Sequence, residues 1–399
     1  MLTFEAFYAA RSYPLVQGLR QTLPSLRAMN LDNSTPIPAK ATVSELPGEI
    51  NRIGILTAKA TFKFDRNGQV ELDTQNPFPL LSKDQETPLG PLPTDSRARR
   101  SDKFEVMLLG NAYPPRRGAT AVKVALTVGT ERRELLVCGD RVWIGGDPKR
   151  ASISQARPFD CMPLLYERSF GGTAAVHIDS RSILDISHPI NPRGKGFDAR
   201  PQAEGLCKAL RAPQGFPALP PGPRALPNIE NPRTPIARWE DAPDPVGWAP
   251  APLDSGIPFL KLITAQSATV ARLQQQGRYT PENFQKEVET AHNEDPDLWL
   301  YRAHPDWVID LPQPAAIVRL ENLLAGAPAV ELRLPQLRVV ADYVIYGRQG
   351  QRDLRPQSLV LLPEEQRFYL VYRLPFHFEP GPAHERSFRL RTAAGWLQA

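Results

Sequence analysis

Proline is the residue that most constrains how this chain can fold. The sequence has 43 prolines in 399 residues, roughly 11% against a usual content of about 5%. Proline lacks an amide N–H and fixes φ, so it is excluded from helix interiors and central strands. Much of the chain must therefore form loops, extended connections and edge segments. Apolar residues accompany the prolines, which is compatible with ordered loops.

The charge balance argues against nucleic acid as a partner. The net charge is +5, from 48 basic and 43 acidic residues. The densest basic runs, RARR at 97–100 and PRRG at 115–118, lack the interleaved aromatic residues that nucleic-acid-binding proteins use. We therefore interpret these runs as solvated loop charge, with an acidic partner surface as the alternative.

Cysteine spacing and the N-terminal residues bear on location. Cys138, Cys161 and Cys207 are an odd number without metal-ligand spacing, which favours a reducing compartment over a disulfide-stabilised secreted protein. The first 20 residues lack the uninterrupted apolar region of a signal peptide. No apolar stretch approaches the ~18 residues of a membrane span. We expect a cytoplasmic protein without a membrane span.

Alternation of apolar and polar residues predicts antiparallel β-structure. From Gly54 onward, apolar residues such as Phe62 alternate with polar residues such as Lys59. Asn67–Gly68 is a favoured two-residue hairpin turn, so the pattern predicts a β-hairpin with one buried face. The same criterion predicts strands at 53–64, 69–73, 104–110, 120–128, 132–138, 329–340 and 357–374, the last with PEEQ (363–366) as a hairpin loop.

These strands predict a mainly β fold, an antiparallel sandwich or a set of barrel-like sheets. A helix-like stretch around TPENFQKEVETAHNE (280–294) makes the overall class α+β. We expect the strands at both ends to meet in one β structure, with two packed sub-domains as the alternative. The predicted divisions are an N-terminal extension (1–32), one domain (33–375) and a C-terminal tail (376–399). That domain comprises a β part (53–143), an ordered Gly/Pro-rich loop region (144–258), a small helical insertion (259–295) and a second β part (315–375).

The sequence lacks the motifs of common enzyme chemistry. NPRGKGFD at 191–198 has Gly-Lys-Gly, but not the hydroxyl residue or preceding strand of a phosphate-binding loop. Ser169 is not in a Gly-x-Ser-x-Gly elbow and has no His nearby in sequence. The six histidines and three cysteines show no paired metal-ligand spacing. We predict a non-catalytic protein with no cofactor and no metal.

Four short motifs have side chains suited to hold loops together. They are GDRVW (139–143), MPLLYERSFGG (162–172), NPRGKGF (191–197) and LPNIENP (226–232). Irregular loops leave backbone groups that strands do not satisfy, and arginine, amide and carboxylate side chains can supply the missing partners. The residues predicted for this role are Arg141, Glu167, Arg168, Asn191, Asn228 and Glu230. We expect Glu167 and Arg168 to be at least partly buried and hydrogen-bonded, with Arg141 nearby.

These motifs and their order along the chain resemble those of a bacterial family first catalogued as a domain of unknown function. KATFKFDRNG (59–68) precedes them, and DAPDPVGWAP (241–250), AHPDW (303–307) and VRLENL (318–323) follow. The resemblance covers roughly residues 33–375. Members of that family are adaptors, or chaperones, for type VI secretion effectors.

The resemblance implies protein binding rather than catalysis. It implies that the chain holds a secreted effector in the cytoplasm, usually through the effector's N-terminal region. It further implies help in loading that effector on the spike, with a PAAR-like spike-tip protein or a spike protein as second partner. Trp143, Tyr166 and Phe170 belong to the same signature. The extension at 1–32 and the helix-like segment at 255–300 depart from the family, so effector specificity is not implied.

Two other functions stay open from the residues alone. One is a hydrolytic enzyme with a loop-borne site around Glu167 and a loop histidine. The other is a structural component of the secretion particle. If the chain binds a partner protein, tryptophans in exposed loops are the expected anchors. The candidates are Trp239, Trp248, Trp299 and Trp307, each of which is alternatively a core residue.

Overall fold

The computed structural model confirms a mainly β protein with a nearly closed, barrel-like sheet. Strands are the dominant element throughout the described chain, and its helical segments are short. The described residues are 29–45, 52–95, 97, 102–145, 149–177, 183–200, 224–253, 255, 257, 283, 301–378 and 386–394.

Twenty-five strands are defined within these ranges. They are β1 (Asn30–Asn33), β2 (Ala39–Glu45), β3 (Arg52–Phe64), β4 (Val70–Leu72), β5 (Gln85–Thr87), β6 (Gly90–Leu92), β7 (Phe104–Leu108), β8 (Asn111–Ala112), β9 (Ala121–Val128), β10 (Glu131–Cys138), β11 (Trp143–Ile144), β12 (Ser152–Ile153), β13 (Met162–Pro163), β14 (Phe170–Gly171), β15 (Thr173–His177), β16 (Ile183–Ser187), β17 (Lys195–Gly196), β18 (Ile229–Glu230), β19 (Val308–Ile309), β20 (Ile317–Leu324), β21 (Ala327–Arg333), β22 (Leu337–Ile345), β23 (Arg348–Leu362), β24 (Arg367–Phe378) and β25 (Arg386–Ala394). In the same ranges, 3₁₀ helices span Tyr166–Arg168, Pro305–Trp307 and Pro363–Glu365.

The main sheet brings the first and last described strands together, as expected from the sequence. Its strands follow the order β1-β25-β22-β23-β24-β3-β2, with β7 joined in parallel to β23 and the short β4 and β19 attached at its sides. The two end strands of this path, β1 and β2, are joined by a short turn and contact each other. The sheet therefore curls almost into a closed barrel.

A second sheet packs into the same core. Its order is β18-β10-β9-β20-β21, and apolar residues of this sheet, such as Leu126 and Leu320, belong to one buried cluster with Leu359 and Phe368 of the main sheet. Each large apolar side chain that is buried between the sheets stabilises the folded state by about 1.5–3 kcal/mol. The two predicted β parts thus share a core.

The long strand β3 is buried on both faces, so the prediction of one solvent-facing side is wrong over most of its length. Ala58 and Ala60 are buried on one face, and Lys59 on the other is only 1% exposed. The proline-containing segment that follows β4 covers the face of β3 that carries Lys59. Its Pro79 carbonyl accepts a hydrogen bond from Lys59 Nζ at 2.8 Å, and Asp95 forms an ion pair with the same Nζ at 2.6 Å. These partners allow a lysine to be buried.

The predicted strands are confirmed, five of them to within two residues at each end, and two differ more. The range 329–340 is two strands, β21 and β22, which Pro335 separates, because proline cannot donate to a ladder. The last predicted range begins earlier than expected, since β23 starts at Arg348. The PEEQ loop is confirmed as a hairpin between β23 and β24, with Gln366 in the left-handed region at φ 52°.

The ends of the chain differ from the predicted divisions. The tail assigned to 376–399 is wrong in part, because β24 runs to Phe378 and β25 pairs along β22 and β1. Strand β1 likewise starts inside the predicted extension of 1–32. The ordered loop region of 144–258 carries the short strands β11 to β18.

Two of the predicted divisions fall wholly or mostly on residues that the structure does not describe. They are the helical insertion, except Asn283, and residues 1–28 of the extension. Among the helices that are described, none has the length and apolar character that a membrane crossing requires.

Candidate functional site

The stretch Met162–Gly172 folds as a corner rather than as a regular element. Strand β13 is followed by the 3₁₀ helix Tyr166–Arg168, and β14 then pairs in parallel with β17. Gly171 has φ 142°, and a Cβ there would lie 2.1 Å from the carbonyl oxygen of Asn191. Only glycine fits such an approach. The corner and the NPRGKGF segment therefore cross backbone to backbone.

Asn191 holds this crossing from inside. It is fully buried, and its Nδ2 donates to the carbonyl oxygens of Tyr166 at 2.8 Å and Phe170 at 3.0 Å. Its backbone N–H donates to Nδ1 of His188 at 3.1 Å. Burial lowers the pKa of His188 to about 4, so the ring is neutral and can accept this hydrogen bond. Asn191 thus satisfies carbonyls of the corner that no strand pairs.

Asn228 joins the same corner to the end of β10. Its Nδ2 donates to the Cys138 carbonyl at 2.9 Å and to Asp140 Oδ1 at 3.0 Å. Its Oδ1 accepts from Arg168 Nη1 at 3.2 Å, and its backbone N–H donates to the Arg168 carbonyl at 2.8 Å. The hydrogen bond from Asn228 and the nearby Lys195 lower the pKa of Asp140 against the effect of burial. One buried amide therefore links three of the four motifs.

The buried ion pair of this region is Arg141–Glu230. Arg141 Nη2 lies 2.6 Å from Glu230 Oε1, with side-chain exposures of 11% and 1%. The same Nη2 donates to the Pro227 carbonyl at 3.0 Å, and Glu230 Oε2 accepts from the Ile236 N–H at 3.2 Å. The predicted proximity of Arg141 to the loop system is confirmed. We name Arg141, Arg168, Asn191, Asn228 and Glu230 the loop brace.

Glu167 does not belong to the loop brace, and the prediction of its burial is wrong. Its side chain is 45% exposed, and Arg193 Nη1 lies 3.7 Å from its carboxylate. The short 3₁₀ helix explains this, because its three residues place Tyr166 inward and Glu167 outward. Arg168 is half-buried and hydrogen-bonded as predicted.

A second group, which we name the aromatic cluster, lies beside the loop brace. It comprises Trp143, Trp239, Arg200, Arg224 and Asp198. The two indole rings lie 5.3 Å apart, and the guanidinium groups of Arg224 and Arg200 stand 4.3 Å and 4.7 Å from the Trp239 ring centre, within cation–π range.

Asp198 is the anion at the centre of the aromatic cluster. Its Oδ2 accepts from Trp239 Nε1 at 3.0 Å and forms ion pairs with Arg200 at 2.6 Å and Arg224 at 3.1 Å. Burial alone would raise its pKa, but the hydrogen bonds from Arg200 and Trp239 outweigh that effect and lower the pKa to about 2. Half-exposed Trp239 is therefore held rigidly.

The remaining aromatic candidates are mostly core residues. Trp248 is 2% and Trp307 1% exposed, and their rings meet edge to face at 6.3 Å, so their interpretation as exposed anchors is wrong. The buried Tyr166 ring lies against Gly247, where a Cβ would be 2.7 Å away, and Phe170 is 3% exposed. Trp299 lies outside the described residues.

A shallow groove opens beside the exposed side of the corner. Its empty volume is about 370 Å³. Prolines form much of its wall, and Leu165, Glu167 and Arg193 line it from the corner side. The prolines are Pro88, Pro91, Pro250 and Pro252. Leu253, directly after this wall, is 69% exposed and is one of two large apolar side chains exposed in the described chain; the other is Ile144 of β11, at 54%. We name this feature the proline groove.

Two further polar side chains, those of His304 and Ser169, have structural partners. His304 Nδ1 accepts from the Asp306 N–H at 3.2 Å, as His188 accepts from Asn191. Buried Ser169 accepts from the Val246 N–H at 2.9 Å. Within the described ranges, no group of three or more His, Cys, Asp or Glu side chains could hold a metal ion. These contacts fit a role in bracing loops.

Sequence reasoning missed Asp198, Arg200, Arg224 and His188. The residues of the aromatic cluster come from well-separated segments, except for the neighbours Asp198 and Arg200, so no local spacing connects them. Asp198 directly follows the NPRGKGF motif. This position next to a signature motif is the one feature of the sequence that could have identified Asp198 as a candidate.

Comparison with known proteins gives one match. The sequence model of a family described as an uncharacterized protein conserved in bacteria (DUF2169) matches residues 50–373. The span runs from the residues before β3 into β24 and includes the loop brace, the aromatic cluster and the proline groove. No curated protein and no solved structure matches the chain.

Proposed function

The chain belongs to the bacterial DUF2169 family, and from that premise we propose that it is a non-catalytic adaptor that binds a secreted effector protein of the type VI system. The adaptor acts in the cytoplasm before secretion and delivers the effector to a PAAR-like spike-tip protein or to the spike protein. The ordered signature motifs support the type of partner, and the surface described above supports the mode of binding.

One observation carries the proposal. The signature side chains of the loop brace point inward, where they fix a corner whose outer side borders the proline groove. Proline-walled surfaces offer apolar area and few amide donors, and they lose little conformational entropy on binding. A proline-walled groove with exposed Leu253 beside it and charged Glu167 and Arg193 in its lining resembles a protein interface, in which apolar anchors adjoin polar groups.

The contacts of Glu167 favour this function over hydrolysis. A general acid or base requires a reactive partner within hydrogen-bond reach. Glu167 faces Arg193 at 3.7 Å, and Nδ1 of His188 accepts a hydrogen bond from the Asn191 N–H. Glu167 therefore has the environment of a rim residue.

Co-purification tests the proposal. The effector and the PAAR-like protein encoded beside this gene are co-expressed with the tagged chain, and we expect the effector to be retained. Leu253→Asp should reduce retention by at least tenfold, because it introduces a charge at the apolar rim. Ile144→Asp, at the other exposed apolar residue, is the matched control and should retain the effector.

A deletion strain separates the adaptor from the alternatives. We expect loss of secretion of one effector while the secretion machine still fires. Loss of all firing would instead assign a structural role in the particle. The adaptor function would be overturned if the wild-type chain retained no effector and if secretion were unchanged in the deletion strain.

A further inference from the structure

A buried polar network lies against the main sheet, and the inference drawn from it does not depend on the function proposed above. Asp95, Glu105, Arg302, Ser358 and Arg373 are each less than 5% exposed. They come from five separate parts of the chain: two loop segments and the strands β7, β23 and β24. Isolated charges are rarely buried to this degree, so such a network requires nearly complete hydrogen bonding.

The network is continuous from one side to the other. Arg373 Nε donates to the Asp95 carbonyl at 3.1 Å, and its Nη1 donates to Ser358 Oγ at 2.9 Å. Ser358 Oγ in turn donates to Glu105 Oε1 at 2.8 Å. The backbone N–H of Arg302 donates to Glu105 Oε2 at 2.9 Å. One continuous series of hydrogen bonds thus joins the Asp95 backbone to the Arg302 backbone through Arg373, Ser358 and Glu105.

Two polar atoms in and beside the network lack a hydrogen-bond partner among the residues that the structure describes. Arg302 donates from Nε to the Ala251 carbonyl and from Nη1 to Asp84, but its buried Nη2 has no hydrogen-bond partner. The hydroxyl of Tyr369, a residue only 1% exposed, has none either. A buried unsatisfied group costs about as much as the hydrogen bond it lacks.

Both residues line the same small cavity. Its wall also includes Asp95, Glu105 and Arg373. The space open to the centre of a water molecule is about 10 Å³, near the minimum for one water and too little for a larger ligand. Burial and the neighbouring Asp95 and Glu105 carboxylates raise the pKa of Tyr369 well above its usual value, so the phenol is neutral and can donate.

We propose that this cavity binds one internal water molecule, which joins Arg302 Nη2 and the Tyr369 hydroxyl to the carboxylates beside them. The water accepts from the guanidinium and the phenol and donates to carboxylate oxygen. It completes the contact between the main sheet and the two loop segments that cover it. A water with three or four such partners is a fixed part of a fold.

A pair of matched substitutions tests the site. Tyr369→Phe removes a hydroxyl that the water satisfies, so the folding equilibrium constant from urea unfolding should fall roughly tenfold. Tyr372→Phe removes the same atom from the opposite face of β24, where the hydroxyl is also buried without a partner but does not line this cavity. This variant should match or exceed the wild-type constant.

A crystal structure at about 1.5 Å resolution supplies the direct measurement. We expect one density peak in the cavity, within hydrogen-bond distance of Arg302 Nη2 and Tyr369, that disappears or moves in the Tyr369→Phe protein. An empty cavity, or a Tyr369 hydroxyl bonded directly to Asp95 or Glu105, would overturn the proposal. An anomalous peak at that place after a bromide soak would also overturn it, in favour of an anion.

Discussion

Two glutamates of the signature motifs have opposite surroundings. Glu230 is enclosed with Arg141 in the loop brace, whereas Glu167 is 45% exposed beside Arg193. Their local sequences, YERS and NIEN, do not distinguish them, because both follow an apolar or aromatic residue. The difference arises from the strand pairing of Ile229–Glu230 with β10, which is a long-range contact.

We expect Glu230→Ala to destabilise the protein by about 3–5 kcal/mol, because it leaves the Arg141 guanidinium buried without its counter-ion. Glu167→Ala is the matched control and should change stability by no more than about 0.5 kcal/mol. Urea unfolding followed by tryptophan fluorescence measures both. Equal losses in the two variants would mean that Glu167 is held more firmly than its contact with Arg193 suggests.

His188 makes the signature corner sensitive to acid. Burial lowers its folded-state pKa to about 4, below the unfolded value of about 6.5, so the unfolded chain binds more protons between these values. The stability that the neutral ring contributes is therefore complete above pH 6.5 and is lost as pH falls through 4. NMR titration of the His188 ring in the folded protein should show a neutral ring at pH 5.5. A midpoint near 6.5 would contradict this expectation.

At the scale of elements, the Asn67–Gly68 turn shows what the sequence predicts and what it leaves out. The turn and its two strands follow from local residue preferences. The contact of this turn with the second sheet does not, because its partner β21 lies more than 250 residues later. A Cβ on Gly68 would lie 1.8 Å from the Glu331 carbonyl oxygen.

Gly68→Ala should therefore destabilise the protein by about 1–3 kcal/mol more than a substitution with the same backbone strain and no contact. Gly118→Ala supplies that comparison. Gly118 has φ +74°, close to the +80° of Gly68, and a Cβ at Gly118 would meet nothing within 4 Å. Thermal unfolding of both variants measures the difference. Equal melting temperatures would show that the turn shifts freely away from β21.

The burial of Lys59 illustrates the same limit of prediction from local sequence. Alternation along β3 correctly predicts a strand, since periodicity is a local property. It does not predict whether the polar face meets water, because the covering residues Pro79 and Asp95 belong to an irregular segment without periodicity. The loop brace is predictable only in part for a related reason: its residue types are suited to satisfying loop backbone, but their pairing depends on the fold.

At the scale of the whole molecule, the barrel depends on its last described strand. Strand β25 lies between β22 and β1, with residue-by-residue pairing from Leu337↔Ala394 to Ile345↔Arg386 on one side and Asn30↔Ser387 to Asn33↔Leu390 on the other. Phe388 and Leu390 of β25 are buried in the core. Removal of this strand would open the barrel along two edges.

We expect a chain that ends at Phe378 to lose cooperative unfolding and to aggregate, because unpaired strand edges and apolar core become exposed. A chain that ends at Ala394 keeps all of β25 and should unfold like the full-length protein. Size-exclusion chromatography and a thermal melt of the two truncations provide the measurement. A monomeric, cooperatively unfolding chain ending at Phe378 would show that the barrel closes without β25.

The pairing of β1 with β25 also governs when this protein can fold in the cell. A ribosome makes β1 first among the described strands and β25 last, so β1 cannot pair with β25 until all the residues between them have been translated. Non-local pairing of this kind is slow to form. Until β25 has been made, the nascent chain exposes open strand edges, and a holdase chaperone can bind to them.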